Sequence, residues 1–581
     1  MSFIKNLTDR WQLGILLITL LFAVPVITVF SFVFQGTNEV WNHLAETVLS
    51  DYINNSLILM LGVTVGTLSI GITTAWLTSI CEFPGRKIFQ WALLLPLAVP
   101  AYIIAYTYTG MLDFTGPVQT FLRSAFDWGP RDYWFPQIRS IGGAMMMLSL
   151  VLYPYVYLLT RAAFLEQSSV TLEASRSLGM GPWRSFFYVA LPMARPAIIT
   201  GLSLALMETL ADFGTVEYFG VTTFTTGIFR TWFGLGDAAA ASQLASSLLL
   251  FVFVLIVLER FSRRLSRYHQ HIGQQAQERR VQLSFKQGWI AFIACLIPLL
   301  LGFGLPFAQL LTWTIATAEA MINSDFYTLA ANSLILAIAT SLLALMLALF
   351  MGYGQRLKNT HFNKLMVRIA SMGYAIPGTV IAIGVVIPFA WLDNTIDDWS
   401  RSQFDHSTGL LLSGTLFALI FSYLVRFLAV STGTVESSLG KIKPSMDDAA
   451  RSMGYKPFQV LQKIHIPIMK TSLLTAVLLV FVDVLKELPA TLLLRPFNFN
   501  TLAVRAYELA ADERLADASS AAIMIVLSGI IPVILLSRSI SKNRYEPSAN
   551  LEPSANLEPS ANLEPSANLE PSAKIKSDHN D

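Results

Sequence analysis

Charge is what this 581-residue chain lacks most. Only 13% of its residues are Asp, Glu, Lys or Arg, against 54% hydrophobic ones. A soluble domain is nearer a quarter charged, and the mean hydropathy of +0.55 agrees in excluding one. Net charge is +2, which implies no nucleic-acid partner. There are two cysteines, Cys81 and Cys295, far apart and inside or beside apolar runs, so they read as packing residues and not a redox pair. The seven histidines are scattered without metal-ligand spacing. No G-x-x-x-x-G-K-[ST] loop occurs, so the chain has no phosphate cradle of its own. The nearest approach, VESSLGKI at Val435–Ile442, lacks the first glycine and ends in Ile. No nucleophile–base constellation argues for an enzyme.

What fills the chain is long apolar runs. A bilayer core needs about 20 apolar residues per helix. Twelve candidate spans follow, at 13–34, 54–80, 88–112, 138–160, 194–213, 241–259, 288–314, 328–352, 366–391, 408–430, 468–489 and 518–537. The run opened by Lys5 and Arg10 is too long for a signal-peptide core and reads as an uncleaved anchor. Most of the 40 lysines and arginines fall in alternate loops. The positive-inside rule therefore puts both termini in the cytoplasm.

The chain is written twice. EASRSLGMGPWRSFFYVALP (Glu173–Pro192) recurs as DAARSMGYKPFQVLQKIHIP (Asp448–Pro467), 275 residues later. NSLIL at Asn55 recurs at Asn332, and Pro100 of LPLAVPAY matches Pro377 of GYAIPGTV, both 277 residues on. An even number of spans per copy makes these parallel repeats around one central path. The expected organisation is a first half over 1–265, a basic linker over 266–287 facing anionic headgroups or solvent, a second half over 288–540, and a tail over 541–581. The tail repeats EPSANL four times from Glu546 and reads as a disordered cytoplasmic segment.

In each doubled segment a short helix ends at a glycine, Gly179 or Gly454, with Pro182 or Pro457 just beyond. The carboxylates Glu173 and Asp448 open these helices at the positive dipole end. The next apolar run carries paired carboxylates, Glu208 with Asp212 and Asp483 with Glu487, each pair four apart on one helical face. Carboxylates in a span are costly and face a path or a partner. Two readings stand. The four ring a central pathway, where cations or a hard metal ion with oxygen ligands would suit them. Alternatively they pair with Lys486, Arg161 or Arg426 and hold helices in register.

The doubled segment resembles the EAA motif of ABC importer permeases: Glu-Ala-Ala, three residues, Gly, nine residues, Ile, one residue, Leu-Pro. Here it is Glu173, Ala174, Ser175, Gly179, Val189, Leu191 and Pro192, then Asp448, Ala449, Ala450, Gly454, Ile464, Ile466 and Pro467. The resemblance implies an all-α polytopic fold of the type I importer (MetI-like) class. It implies coupling to two cytoplasmic ATPase subunits through Glu173, Ala174, Gly179, Pro192, Asp448, Ala449, Gly454 and Pro467. A periplasmic or lipid-anchored binding protein would dock on loops such as 113–137, 213–240 and 490–517. The permease would bind no cofactor, ATP being used by the partner subunit. Membrane lipid surrounds it, in the bacterial inner membrane. Lys486–Glu513 and Glu208–Gly220 look like the fused ferric-iron permeases. Thiamine, sulfate or polyamine permeases share the layout and remain alternatives. From another class, an ion-coupled secondary transporter would use the intramembrane carboxylates, and it leaves the doubled segment unexplained.

Overall fold

The structure is a computed structural model, describing residues 10–36, 38–166, 175, 177, 179–264 and 281–542. The chain divides into a large unit, Met1–Leu536, and a short one, Ser537–Asp581, of which only the final helix up to Lys542 is described.

The described residues hold eleven helices long and apolar enough to cross a membrane, and a twelfth if one bent pair counts as a span. They are, in order, Arg10–Phe34, Leu49–Ile80, the bent pair Arg86–Ala98 with Ala101–Phe126, Ile141–Leu165, Phe186–Ala211 and Ala238–Arg260. The second set is Phe285–Met321, Ser324–Leu357, Gly378–Phe404, Leu416–Lys441, Pro457–Leu485 and Leu515–Pro532. We refer to these as the first to twelfth spans.

The tenth span, expected over 408–430, is shifted to Leu416–Lys441, and the third and ninth depart for one shared reason. The third, expected as one run over 88–112, bends by 91°. The ninth, expected from 366, begins only at Gly378, after a separate helix His361–Ala370. In both, a proline sits at the break with extended backbone: Pro100 at φ −58°, ψ 142° and Pro377 at φ −55°, ψ 142°. The residues before them, Val99 (ψ 119°) and Ile376 (ψ 129°), are extended too. The proline ring forces this by clashing with a helical predecessor. Beyond the break the copies differ. The ninth span runs unbroken to Phe404, whereas the third breaks again between Leu112 and Pro117, at Asp113–Gly116.

The repeats read from sequence are not the units that pack. The first span lies on the second half: Trp11 stacks on Phe350 at 4.9 Å, and Phe22 meets Phe421 edge-on at 5.6 Å. Thr19 donates to the carbonyl of Met366 at 3.1 Å. Contact is so close that a Cβ on Gly384 would stand 2.2 Å from the Pro25 carbonyl oxygen. The seventh span returns the exchange. Tyr108 donates to the Leu301 carbonyl at 2.7 Å, and Phe89 meets Phe292 at 5.3 Å. A parallel pairing of Cys81–Glu82 with Val281–Gln282 ties the first half to the end of the linker. Small residues at such crossings let backbones approach where lipid offers no hydrophobic drive. The apolar cores follow: one joins Ile15, Phe22 and Val29 to Ile383 and Phe421, a second joins Leu59, Tyr106 and Met147 to Val504 and Val526, and a third joins Phe89 and Tyr153 to Ala291 and Cys295.

Candidate functional site

The second doubled segment forms a helix over Pro444–Ser452, four residues earlier than Asp448, because Pro444 sits at its first turn where no amide hydrogen is needed. Asp448 and Ala449 are exposed and Ala450 is buried. Gly454 takes φ +86°, and the amide of Tyr455 closes the helix end by donating to the Ala450 carbonyl at 3.1 Å. The first segment repeats this geometry. Gly179 takes φ +80°, and Met180 donates to Ser175 at 3.1 Å. Left-handed glycine followed by a bond spanning five residues is the Schellman stop. Glu173 and Ala174 lie outside the described residues.

After each glycine turn a helix restarts at Pro182 or Pro457. Each then passes through one π turn, Phe186–Ala190 or Leu461–His465, into a long helix, Leu191–Ala211 or Ile466–Leu485. Pro192 and Pro467 come just after these π turns within continuous helical backbone, where each leaves one helical carbonyl without its amide donor. Six spans separate the doubled segments, so both stand at one end of the bundle.

All four predicted carboxylates line a single cavity of about 110 Å³, room for several waters. Glu208 and Asp483 come from the fifth and eleventh spans, whereas Asp212 and Glu487 lie just past the ends of those helices, so neither pair shares one helical face as the spacing of four suggests. Tyr102, Tyr155, Arg426 and Lys486 complete the polar part of the wall. Arg161 does not line it.

Asp212 and Glu487 are engaged as helix caps. Asp212 accepts from the amides of Thr215 and Val216, both at 3.1 Å, and from the Thr215 hydroxyl at 2.9 Å. Glu487 accepts from the amides of Ala490 and Thr491, both at 3.1 Å, and from the Thr491 hydroxyl at 3.0 Å. The amide donors correspond under the 275-residue repeat, whereas the hydroxyl comes from the first of the two residues in one half and from the second in the other. Each carboxylate starts the short helix that follows the break, Gly214–Tyr218 or Pro489–Leu494. The cations come from the second half alone. Arg426 pairs with Glu487 at 2.9 Å and approaches Glu208 of the first half at 3.9 Å. Lys486 pairs with Asp483 at 2.8 Å. The repeat puts Val151 and Ala211 where these cations stand.

Four carboxylates against two cations leave a formal charge of −2 around the cavity. The ring is not a chelating cage, since among the described residues no three His, Cys, Asp or Glu side chains are grouped to hold a metal ion. Asp212 and Glu487 spend their oxygens on caps and Asp483 pairs with Lys486, while Glu208 has Arg426 only at 3.9 Å.

A further group was not foreseen. Asp447, beside Asp448, is buried, with Arg356 at 2.7 Å and His465 at 2.6 Å. Burial opposes its ionisation, yet Arg356 and His465 outweigh it and hold its carboxyl below the ordinary range. The legible signal was a second acidic residue in the first helical turn. Its partners lie 91 and 18 residues away and could not be read from spacing.

Comparison with known proteins agrees with the duplication. The profile of the family described as "binding-protein-dependent transport system inner membrane component" matches residues 67–267 and again 344–544, each boundary 277 residues on. The Fe(3+)-transport system permease protein FbpB 2 of Haemophilus influenzae is 27% identical over 533 residues, covering 90% of this chain and 97% of that one. The ferric transport system permease protein FbpB of Actinobacillus pleuropneumoniae is 22% identical, over 84% of this chain and 72% of its own. The molybdenum transport system permease protein ModB of Escherichia coli is 35% identical over 148 residues, 25% of this chain and 61% of its own. With that family matched twice over most of its length, the chain belongs to the binding-protein-dependent transport system inner membrane components, as two permease modules fused in one polypeptide.

Proposed function

We propose that this permease imports ferric iron, with two separate ATPase subunits docked on the segments around Glu173 and Asp448. A periplasmic or lipid-anchored binding protein delivers the iron to the opposite face. Both termini and both docking segments are cytoplasmic, in line with the basic loops, and the membrane is the bacterial inner membrane. The chain itself hydrolyses nothing and binds no cofactor; ATP is spent by its partners.

One observation carries the coupling role: each glycine turn leads through a proline start and a π turn into the span that ends at the carboxylate cavity. A push on the turn is thereby a push on the cavity wall. Iron is supported by two ferric permeases that align over most of both chains, whereas the molybdenum permease aligns over a quarter of this one. The cavity's negative balance suits a cationic cargo.

The test is uptake in a strain deleted for this permease, complemented by the full chain with its ATPase and binding protein. Radiolabelled ferric iron enters and thiamine does not. Proline at Gly179 and Gly454 cannot reach φ +80° or +86° and costs about 3 kcal/mol or more at each turn. The double variant inserts but loses uptake. Thiamine import would overturn the cargo, and normal iron uptake by the double variant would overturn the coupling.

A further inference from the structure

The second docking helix is bolted down by an ion-paired knot. Arg356, near the end of the eighth span, spends Nε on Asp447 at 2.7 Å. Its other two nitrogens donate to the carbonyls of Leu439 and Ile442, at the end of the tenth span. His465, fully buried in the π turn of the eleventh span, holds the second oxygen of Asp447 at 2.6 Å. Tyr353, one turn before Arg356, donates to the Pro457 carbonyl at 2.7 Å and sets its ring edge against His465 at 5.3 Å. Three spans and the docking helix thus meet at one buried carboxylate.

The duplication does not carry this knot. Under the 275-residue repeat, Asp447 and His465 correspond to Leu172 and Ala190, and neither side chain can bear a charge. Among the described residues of the first half, the hydroxyls of Ser175 and Ser185 meet at 2.7 Å.

We infer that Asp447, held by Arg356 and His465, is a positioning residue that makes the second docking helix a stiff lever on the eighth, tenth and eleventh spans. The inference rests on the docking role proposed above. An ATPase that moves the Pro444–Ser452 helix moves the eighth, tenth and eleventh spans as one body. Without the knot the helix would yield before the spans do, and hydrolysis would continue with less transport.

The test uses the full transporter, with its ATPase and binding protein, in proteoliposomes. The readout is substrate imported per ATP hydrolysed. Asp447→Asn keeps the ATPase bound and hydrolysing but lowers that ratio about fivefold or more, a coupling of ordinary size between sites. Asp447→Glu, which keeps the charge, recovers most of it. Hydrogen exchange across 444–453 is faster in Asp447→Asn than in wild type. An unchanged ratio in Asp447→Asn overturns the inference, as does a fall in hydrolysis and import in step. Should that variant not reach the membrane, Arg356→Lys, which keeps the charge but not the fork, is judged by the same ratio. Gly454→Pro separates the two layers. If it is silent, the docking role itself fails; if it abolishes uptake while Asp447→Asn is normal, only the lever fails.

Discussion

Arg426→Met is the sharpest probe of how the cavity wall is held. Arg426 and Glu487 are 2.9 Å apart, with only 9% and 2% of their side chains exposed. Removing one partner of a buried pair costs about 3–5 kcal/mol, because the other charge stays behind. Glu487 keeps its three cap donors from Ala490 and Thr491, so the loss belongs at the lower end, about 3 kcal/mol. Glu487→Gln removes the charge but offers one acceptor oxygen where two are used, at a cost of about 2 kcal/mol. The double variant leaves neither charge unpaired. Its cost stays near that of one single variant, so the coupling is about 2 kcal/mol, within the range for residues in contact. Denaturation of the four purified full-length proteins in one detergent measures it. Additivity within about 0.5 kcal/mol would refute the pairing. Loss of uptake in Glu487→Gln at full stability would refute the capping role and return Glu487 to the cargo path.

Asp212→Ala removes the matching cap in the first half and costs about 1 kcal/mol by the same denaturation assay; no loss would mean that the Thr215 and Val216 amides do not depend on it. Gly384→Leu drives a side chain into the Pro25 carbonyl and costs about 1–3 kcal/mol or more. Membrane-inserted protein falls sharply, whereas Gly36→Ala, with open space around it, leaves the amount unchanged. Asp447 has a depressed carboxyl pKa, so its stabilisation is in force above the usual carboxylate range and is lost as pH falls through the depressed folded value. Exchange of the 444–453 amides, corrected for intrinsic rate, is therefore flat from neutral to mildly acid pH. It rises only below the usual carboxylate range, and that rise is missing in Asp447→Asn.

The features legible in the sequence are those where one residue type is forced by backbone geometry. Gly179 and Gly454 recur because only glycine enters φ +80° and +86° cheaply, and Pro182 and Pro457 recur because each restarts a helix. Pro100 and Pro377 are equally visible, but each sits in an apolar run, where hydropathy alone does not separate a breakpoint from the interior of a span. The exchange of first and seventh spans left no mark, since Gly384 and Gly302 look like any small residue in such a run. The cap at Asp212 was readable as an acidic residue with threonine three places on. The choice between path lining and pairing needed the third dimension. So did Asp447, which only burial distinguishes from its exposed neighbour Asp448.

The central claim is that both copies of the doubled segment are ATPase docking points on one chain. Ser177 and Ser452 are exposed equivalents, and the native Cys81 and Cys295 are buried and replaceable. Single cysteines placed at Ser177 and at Ser452 test the claim by short-range cross-linking in inside-out membrane vesicles. The prediction is that each position captures the ATPase subunit, that a chain with both captures two, and that the yield changes with ATP. Capture from neither position, or labelling of these cysteines only from the periplasmic side of intact cells, would contradict it.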